Sequence, residues 1–174
     1  MLLQHSRRDA RMADGALVTL EEQDRSLWDR DSIAEGRLLV EKGLRLRRPG
    51  PYQLQAAIAA LHSEAAAAEA TDWRQIALLY ERLYELSPSP VVALNHAVAV
   101  AMGAGLDEGL LRIDRLGASG ALDNYYLFHA ARADILRRMR RSAEASAAYE
   151  RAIALAANPV ESAFLKKRLE EIST

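Results

Sequence analysis

The chain contains no cysteine among its 174 residues. This absence excludes disulfides, thiolate nucleophiles and cysteine-based zinc sites, and it is compatible with a reducing compartment. Aromatic residues make up only 6% of the chain, which disfavours a β-sandwich and favours closely packed helices. No apolar run approaches the roughly 20 residues that span a bilayer, and the N-terminus has no hydrophobic signal segment. We therefore predict a cytoplasmic protein that does not contact a membrane.

A strong charge of one sign is also lacking. The chain has 23 basic and 24 acidic residues and a formal net charge of −1, so no global field attracts it to nucleic acid. Two local arginine clusters fall at predicted helix C-termini, where cations interact favourably with the helix dipole. They carry few interleaved aromatics, so we predict a structural role and no direct nucleic-acid binding. The clusters are Arg45, Arg47 and Arg48, and Arg137, Arg138, Arg140 and Arg141.

The usual signatures of catalysis are missing as well. No serine lies in a nucleophile elbow, and there is no glycine-rich phosphate loop. His62, His96 and His129 follow a regular spacing, but none has an acidic or cysteine partner at the spacing of a metal pair. We predict no catalytic residue, no cofactor and no metal, and hence a protein that is not an enzyme.

A short phrase (apolar, acidic, arginine) recurs at nearly equal intervals, at positions 80–82, 113–115 and 149–151. A period of about 34 residues is typical of tetratricopeptide (TPR) helical hairpins, which bury their apolar faces by stacking on one another. Small and large residues also recur at positions that match the motif, although Arg140 stands where the third hairpin should have its loop glycine. These positions are Ala97, Gly109, Ile113, Leu116, Ala133, Leu136, Ala145, Tyr149 and Ala152.

These patterns predict an all-α fold in which TPR-like helical hairpins stack in a short right-handed solenoid of about eight or nine helices. Residues 1–28 are predicted to hold the end of an upstream helix, over residues 2–12, and an irregular linker. Residues 29–174 are predicted to form the TPR-like domain. Its hairpins are expected at about 51–86, 89–117 and 122–156, followed by a polar capping helix at 159–172.

Two polar and aromatic groups are candidates for partner contacts. One places Trp28 among charged residues just before a predicted helix, and tryptophan and arginine dominate interface hot spots. The alternative, which we favour for Trp28, is a structural role in which the tryptophan packs at the edge of the helical domain and its charged neighbours form ion pairs. The residues beside Pro51 have the same two possible roles, a partner contact or a structural one. The candidate residues are Asp24, Arg25, Trp28 and Arg30, and Tyr52, Gln53 and Gln55.

Several ordered blocks resemble one group of bacterial extracytoplasmic-function (ECF) RNA polymerase sigma factors. The resemblance covers essentially the whole chain. The blocks are residues 23–30 (QDRSLWDR), 33–36 (IAEG), 48–60 (RPGPYQLQAAIAA), 71–73 (TDW), 88–92 (PSPVV) with 94–95 (LN), and 129–134 (HAARAD). In that group, a TPR-like C-terminal extension follows the two sigma domains that bind polymerase and promoter.

The resemblance implies that this chain is that extension. Residues 5–11 (HSRRDAR) are similar to the end of a family helix that begins further upstream. The implied function is a regulatory module of transcription initiation, and the implied partners are the sigma domains of the same polypeptide, RNA polymerase or a signalling protein. The alternative is a free-standing TPR-like adaptor that binds a peptide or helix of a cytoplasmic partner.

Overall fold

A computed structural model describes residues 1–47 and 49–173. The described residues form an all-α fold with nine α-helices, which confirms the predicted class and helix number. The helices are α1 (Leu2–His5), α2 (Arg30–Leu44), α3 (Pro51–Glu64), α4 (Trp73–Leu86), α5 (Pro90–Gly103), α6 (Leu106–Gly117), α7 (Tyr126–Arg138), α8 (Ser142–Leu155) and α9 (Pro159–Ser173). Within the described ranges, none of them is both long and apolar enough to cross a membrane.

The chain divides into two compact units, with the boundary between Pro88 and Ser89. This point lies inside residues 29–174, the range predicted as one helical domain. The boundary falls in a connector of alternating serine and proline, where each proline disfavours helical backbone in the residue before it. We refer to the parts as the N-terminal unit and the C-terminal unit.

The C-terminal unit contains two consecutive helical hairpins, α5–α6 and α7–α8, and α9 packs against α8. Helices α5, α7 and α9 begin at Pro90, Tyr126 and Pro159, so their starts are spaced almost as evenly as the recurring phrase. The repeat in the sequence therefore corresponds to a repeat of helix pairs. Ile113 and Tyr149, which open two of the recurring phrases, are both buried in its core.

Small residues allow the paired helices to approach closely. A Cβ atom added to Gly109 on α6 would lie 2.2 Å from the Cβ of Ala101 on α5 and 2.6 Å from its Cα. Such a separation is far below the roughly 3.5–4.0 Å of an ordinary carbon contact. In the next hairpin the predicted packing positions are all buried in the core: Ala133, Leu136, Ala145, Tyr149 and Ala152.

The loop between α7 and α8 turns through left-handed backbone. Arg140 has a φ of 59°, a conformation that glycine adopts without a steric cost. This is the position at which the motif has its glycine and this sequence has arginine. The backbone geometry of the loop is therefore kept although the residue has changed.

The N-terminal unit contains α2 and the α3–α4 hairpin predicted at 51–86. Its helices begin with residues that suit those positions. The Asp29 carboxylate accepts hydrogen bonds from the Asp31 and Ser32 amides at the start of α2, and Pro51 occupies the first turn of α3. Asp72 caps α4 by accepting a hydrogen bond from the Gln75 amide.

The segment before Asp29 differs from the prediction. Helix α1 ends at His5, a 3₁₀ turn follows at Arg8–Ala10, and residues 2–12 do not form the single helix expected there. Two short antiparallel strands, β1 (Met12–Ala13) and β2 (Ala16–Leu17), then form a hairpin where an irregular linker was expected. Asp14 and Gly15 join them with positive φ angles of 50° and 79°, as the tight turns of two-residue hairpins require.

Candidate interaction surface

Two arginines lie over the indole ring of Trp28 in the N-terminal unit. The Cζ atom of Arg25 is 4.4 Å from the centroid of the indole ring, and that of Arg7 is 5.8 Å away. Trp28 is only 3% exposed and belongs to a core cluster with Leu3 and Ile33. Cation–π contacts of this kind stabilise by about 0.5–2 kcal/mol. The side chain therefore packs as the structural alternative describes and offers no exposed anchor in this structure.

The charged neighbours of Trp28 are held by backbone atoms. The Nη1 atom of Arg25 donates hydrogen bonds to the carbonyl oxygens of His62 (3.2 Å) and Ala65 (2.8 Å), at the C-terminal end of α3. Arg30 donates to the Arg25 carbonyl at 3.1 Å, and the Asp24 carboxylate accepts from the Ser26 amide at 2.8 Å. Residues 24–30 therefore fasten the N-terminal segment to the end of α3, where unpaired carbonyls attract a cation.

His62 belongs to the same structural cluster. Its ring meets the edge of Trp73 with a centroid separation of 5.1 Å. Burial, together with the positive charges of Arg7 and Arg25, lowers the pKa of His62 to about 4. The imidazole is therefore neutral at physiological pH and packs as a half-polar core residue.

His129, in the C-terminal unit, has its own set of partners. His129 shares a hydrogen bond of 2.9 Å with the Asp123 carbonyl and packs on Phe128 at a centroid separation of 5.1 Å. Among the described residues, no group of three histidine, cysteine, aspartate or glutamate side chains could hold a metal ion.

Tyr52, Gln53 and Gln55 lie at the start of α3, and their surroundings differ from those of Trp28. Tyr52 is 83% exposed, and Gln55 is exposed beside it. Gln53 caps α3, since its Oε1 atom accepts a hydrogen bond from the Gly50 amide at 3.1 Å. Of the candidate residues, Tyr52 offers the largest accessible aromatic surface.

Tyr52 and Gln53 line a groove between α1, α2 and α3, which we call the α2–α3 groove. Its volume is about 400 Å³, and its walls are mostly apolar. They include Leu2, Leu3, Leu39, Val40, Tyr52 and Ala56. Gly36 on α2 lets Leu3 pack closely, because a Cβ atom there would lie 2.7 Å from the Leu3 Cγ.

Large apolar side chains of α2 are exposed both at the groove and beyond it. Leu38 is 62% exposed and Leu39 is 54% exposed, and Leu46 beyond the helix end is exposed as well. Sequence reasoning did not identify these leucines as surface residues. A signal was present, because Leu38, Leu39 and Val40 are consecutive and cannot all point to one side of an α-helix.

The two arginine clusters have different environments. In the C-terminal unit, the Asp134 carboxylate accepts hydrogen bonds from Arg137 (2.6 Å) and Arg138 (2.7 Å), and Arg141 pairs with Glu144 at 2.7 Å. Burial acts to raise the pKa of Asp134, but the hydrogen bonds from the two arginines lower it overall.

In the N-terminal unit, Arg45 and Arg47 follow α2 and are exposed. Arg48, the third member of the predicted cluster, lies outside the described residues. The described members of both clusters end or follow helices, as predicted. Among these described residues, carboxylates pair with three arginines of the cluster in the C-terminal unit and with neither Arg45 nor Arg47.

Comparison with known proteins gives two similarities. A family model described as a family of unknown function (DUF6596) matches residues 1–44, which run from the N-terminus through α2. An uncharacterized protein of Rhizobium meliloti (strain 1021) is 48% identical over 174 residues, an alignment that covers 99% of this chain and 41% of the relative. The chain thus spans less than half the length of this curated relative. No solved structure matches the chain.

Proposed function

We propose that the chain is a regulatory protein-interaction module of an ECF sigma factor. In this proposal it acts in the cytoplasm, through contacts with the sigma domains of the same polypeptide, RNA polymerase or a signalling partner, and modulates transcription initiation. The observation that carries the proposal is the pair of consecutive helical hairpins in the C-terminal unit, α5–α6 and α7–α8. Repeats of this kind present extended surfaces for binding other proteins.

The blocks that resemble the sigma-factor group have identifiable roles in the structure. Residues 23–30 fasten the N-terminal segment to α3, and Asp72 caps the helix that begins at Trp73. Ser89 caps α5 by accepting a hydrogen bond from the Val92 amide, and Pro90 is the first residue of that helix. The fold therefore requires the residues of these blocks. This supports assigning the chain to the TPR-like extension of the sigma-factor group.

The length of the relative also supports a tethered module. The matched region is 41% of the Rhizobium protein, so a similar fold there is joined to additional polypeptide. A tethered module acts at an effective concentration in the millimolar range when its linker is short. Weak intrinsic affinity would then be sufficient to hold or release the sigma domains.

The test is transcription from a target promoter by core RNA polymerase with the sigma factor that carries this extension. We expect deletion of residues 1–174 to change initiation, while the deleted protein still binds core polymerase. A control variant, Lys166→Glu with Lys167→Glu, alters two exposed residues of α9 and should behave as the intact protein. Equal initiation with and without the extension, under every condition tried, would refute the proposal.

A free-standing TPR-like adaptor is a second candidate, favoured by the apolar α2–α3 groove and the exposed Tyr52. Helix-binding grooves in adaptors have this apolar character. The coding sequence upstream of Met1 distinguishes the two functions. An open frame through sigma-type domains supports the first, and a stop codon directly upstream supports the adaptor.

A further inference from the structure

The α2–α3 groove continues into a positively charged surface. Residues 42–47 contain Lys42, Arg45 and Arg47 but no acidic residue, and all three side chains are exposed. Among the described residues, no carboxylate forms an ion pair with any of them, and the ion pair on this helix joins Arg37 to Glu41 at 3.7 Å. Lys42 lies one helical turn after Leu38 and Leu39, so these side chains share one face of α2.

The groove lies close to the C-terminal end of α2. Gly43 on α2 faces Gln53, which lines the groove, since a Cβ atom at Gly43 would lie 3.5 Å from the Gln53 Cγ. The C-terminal end of α2, which carries these three cations, therefore adjoins the groove at Gly43.

From this juxtaposition we infer that the α2–α3 groove binds an amphipathic, acidic helix of a protein partner. The apolar face of that helix packs on Leu39, Val40 and Tyr52, and carboxylates at one end lie near the cations at the C-terminal end of α2. The inference deepens the proposed function, on which it rests for the class of partner, and it names the surface and the chemistry of the ligand.

The groove favours a helical ligand over an extended one. An extended segment needs partners for its backbone amides and carbonyls, and burying them unpaired costs several kcal/mol. The groove walls are mostly apolar, and the Oε1 atom of Gln53 already accepts a hydrogen bond from Gly50. A helix satisfies its own backbone and presents side chains at the spacing that a groove between two helices accepts.

Anionic lipid is the main competing ligand, because membranes also attract surfaces that combine apolar and basic residues. The concave shape of the site and the net charge of −1 favour a protein partner. A second copy of the chain is the other competitor. Both can be tested in the same experiment.

The probe is a synthetic, fluorescently labelled helical peptide of about four turns, with leucines along one face and glutamates elsewhere. Its anisotropy is measured during titration with the complete chain. The matched control peptide carries lysine in place of every glutamate. We expect the acidic peptide to bind, and the basic peptide to bind at least about tenfold more weakly, a difference of about 1.4 kcal/mol.

Two variants locate the binding surface. Leu39→Ser removes an exposed apolar wall, and Lys42→Glu with Arg45→Glu reverses the charge. Each should weaken binding of the acidic peptide by about tenfold or more, with an unchanged circular dichroism spectrum. The matched charge reversal Lys166→Glu with Lys167→Glu on α9 should leave binding unchanged.

Several outcomes would overturn the inference. These are equal binding of the acidic and basic peptides, no loss in the Leu39 or Lys42 variants, or no binding of the acidic peptide. Sedimentation with phosphatidylglycerol vesicles without peptide binding would assign the surface to lipid. Concentration-dependent dimerisation that Leu39→Ser abolishes, again without peptide binding, would assign it to a second copy. If the groove variants fail here while deletion of residues 1–174 still alters transcription, the regulatory function survives and only the groove assignment is wrong.

Discussion

Replacing Gly109 by alanine should destabilise the chain because it inserts a methyl group where two helices meet. The new Cβ atom would lie 2.2 Å from the Ala101 Cβ and 2.8 Å from the Ala101 backbone nitrogen. Since part of the obstruction is backbone, a side-chain rotation cannot relieve it, and α5 and α6 must separate. Overpacking of this kind typically costs about 1–3 kcal/mol, and removal of a helical glycine returns at most about 1 kcal/mol. We expect a net loss of about 1–2 kcal/mol.

The measurement is urea and thermal unfolding followed by far-ultraviolet circular dichroism. For a folding unit of about 60–100 residues, each kcal/mol lowers Tm by about 4–8 °C. Gly43→Ala is the matched control, because the added Cβ atom would lie at an ordinary contact distance of 3.5 Å from the Gln53 Cγ. This control should be as stable as the native chain or slightly more stable. If Gly109→Ala were as stable as Gly43→Ala, the close approach of α5 and α6 would be incorrect.

Three further predictions, which use four substitutions, test the packing and the electrostatics. Trp28→Ala should lower the free energy of unfolding by about 3–5 kcal/mol, because the side chain is buried. Tyr52→Ala, at an exposed position, should lower it by no more than about 0.5 kcal/mol. Similar urea midpoints for the two variants would contradict the assigned burial. Because the folded-state pKa of His62 is about 4 and its unfolded value is about 6.5, the unfolded chain binds the proton first. The free energy of unfolding should therefore fall by up to about 3 kcal/mol as the pH drops from about 6.5 to about 4. His62→Gln should weaken this pH dependence. If the pH dependence of the variant were unchanged, groups other than His62 would be responsible for it. Arg140→Gly removes the steric cost of left-handed backbone at a residue with a side chain, about 1–2 kcal/mol. It also adds backbone entropy to the unfolded chain, which offsets part of this gain. We expect the free energy of unfolding, measured by thermal unfolding, to rise by up to about 1 kcal/mol. A clear loss would show that the Arg140 side chain stabilises the loop.

The hairpins could be predicted from the sequence because their determinants are local and periodic. The buried small residues of α7 and α8 lie at the spacing of the repeat, and prolines or capping residues mark the starts of α3, α4 and α5. Residue type alone does not predict the loop at Arg140. The backbone there is left-handed, although the sequence has arginine where the motif has glycine.

The surroundings of the candidate residues depend on contacts between distant parts of the chain. A 3₁₀ turn and a β-hairpin separate Arg7 from Trp28 in the sequence, yet the Arg7 guanidinium lies over the indole ring. Arg25 reaches across to the carbonyl groups of His62 and Ala65. No local pattern predicts such contacts. The exposure of Leu38 and Leu39 was missed for a related reason, since helical periodicity shows which residues share a face and not whether another element covers it.

The division of the chain at Pro88 and Ser89 gives each unit a different optical signature. Both tryptophans, Trp28 and Trp73, belong to the N-terminal unit, and the C-terminal unit has none. Intrinsic tryptophan fluorescence therefore reports on the N-terminal unit alone, whereas circular dichroism reports on the helices of both. Superimposable curves from the two probes would indicate one cooperative transition, and separated curves would give each unit its own folding free energy without any added label.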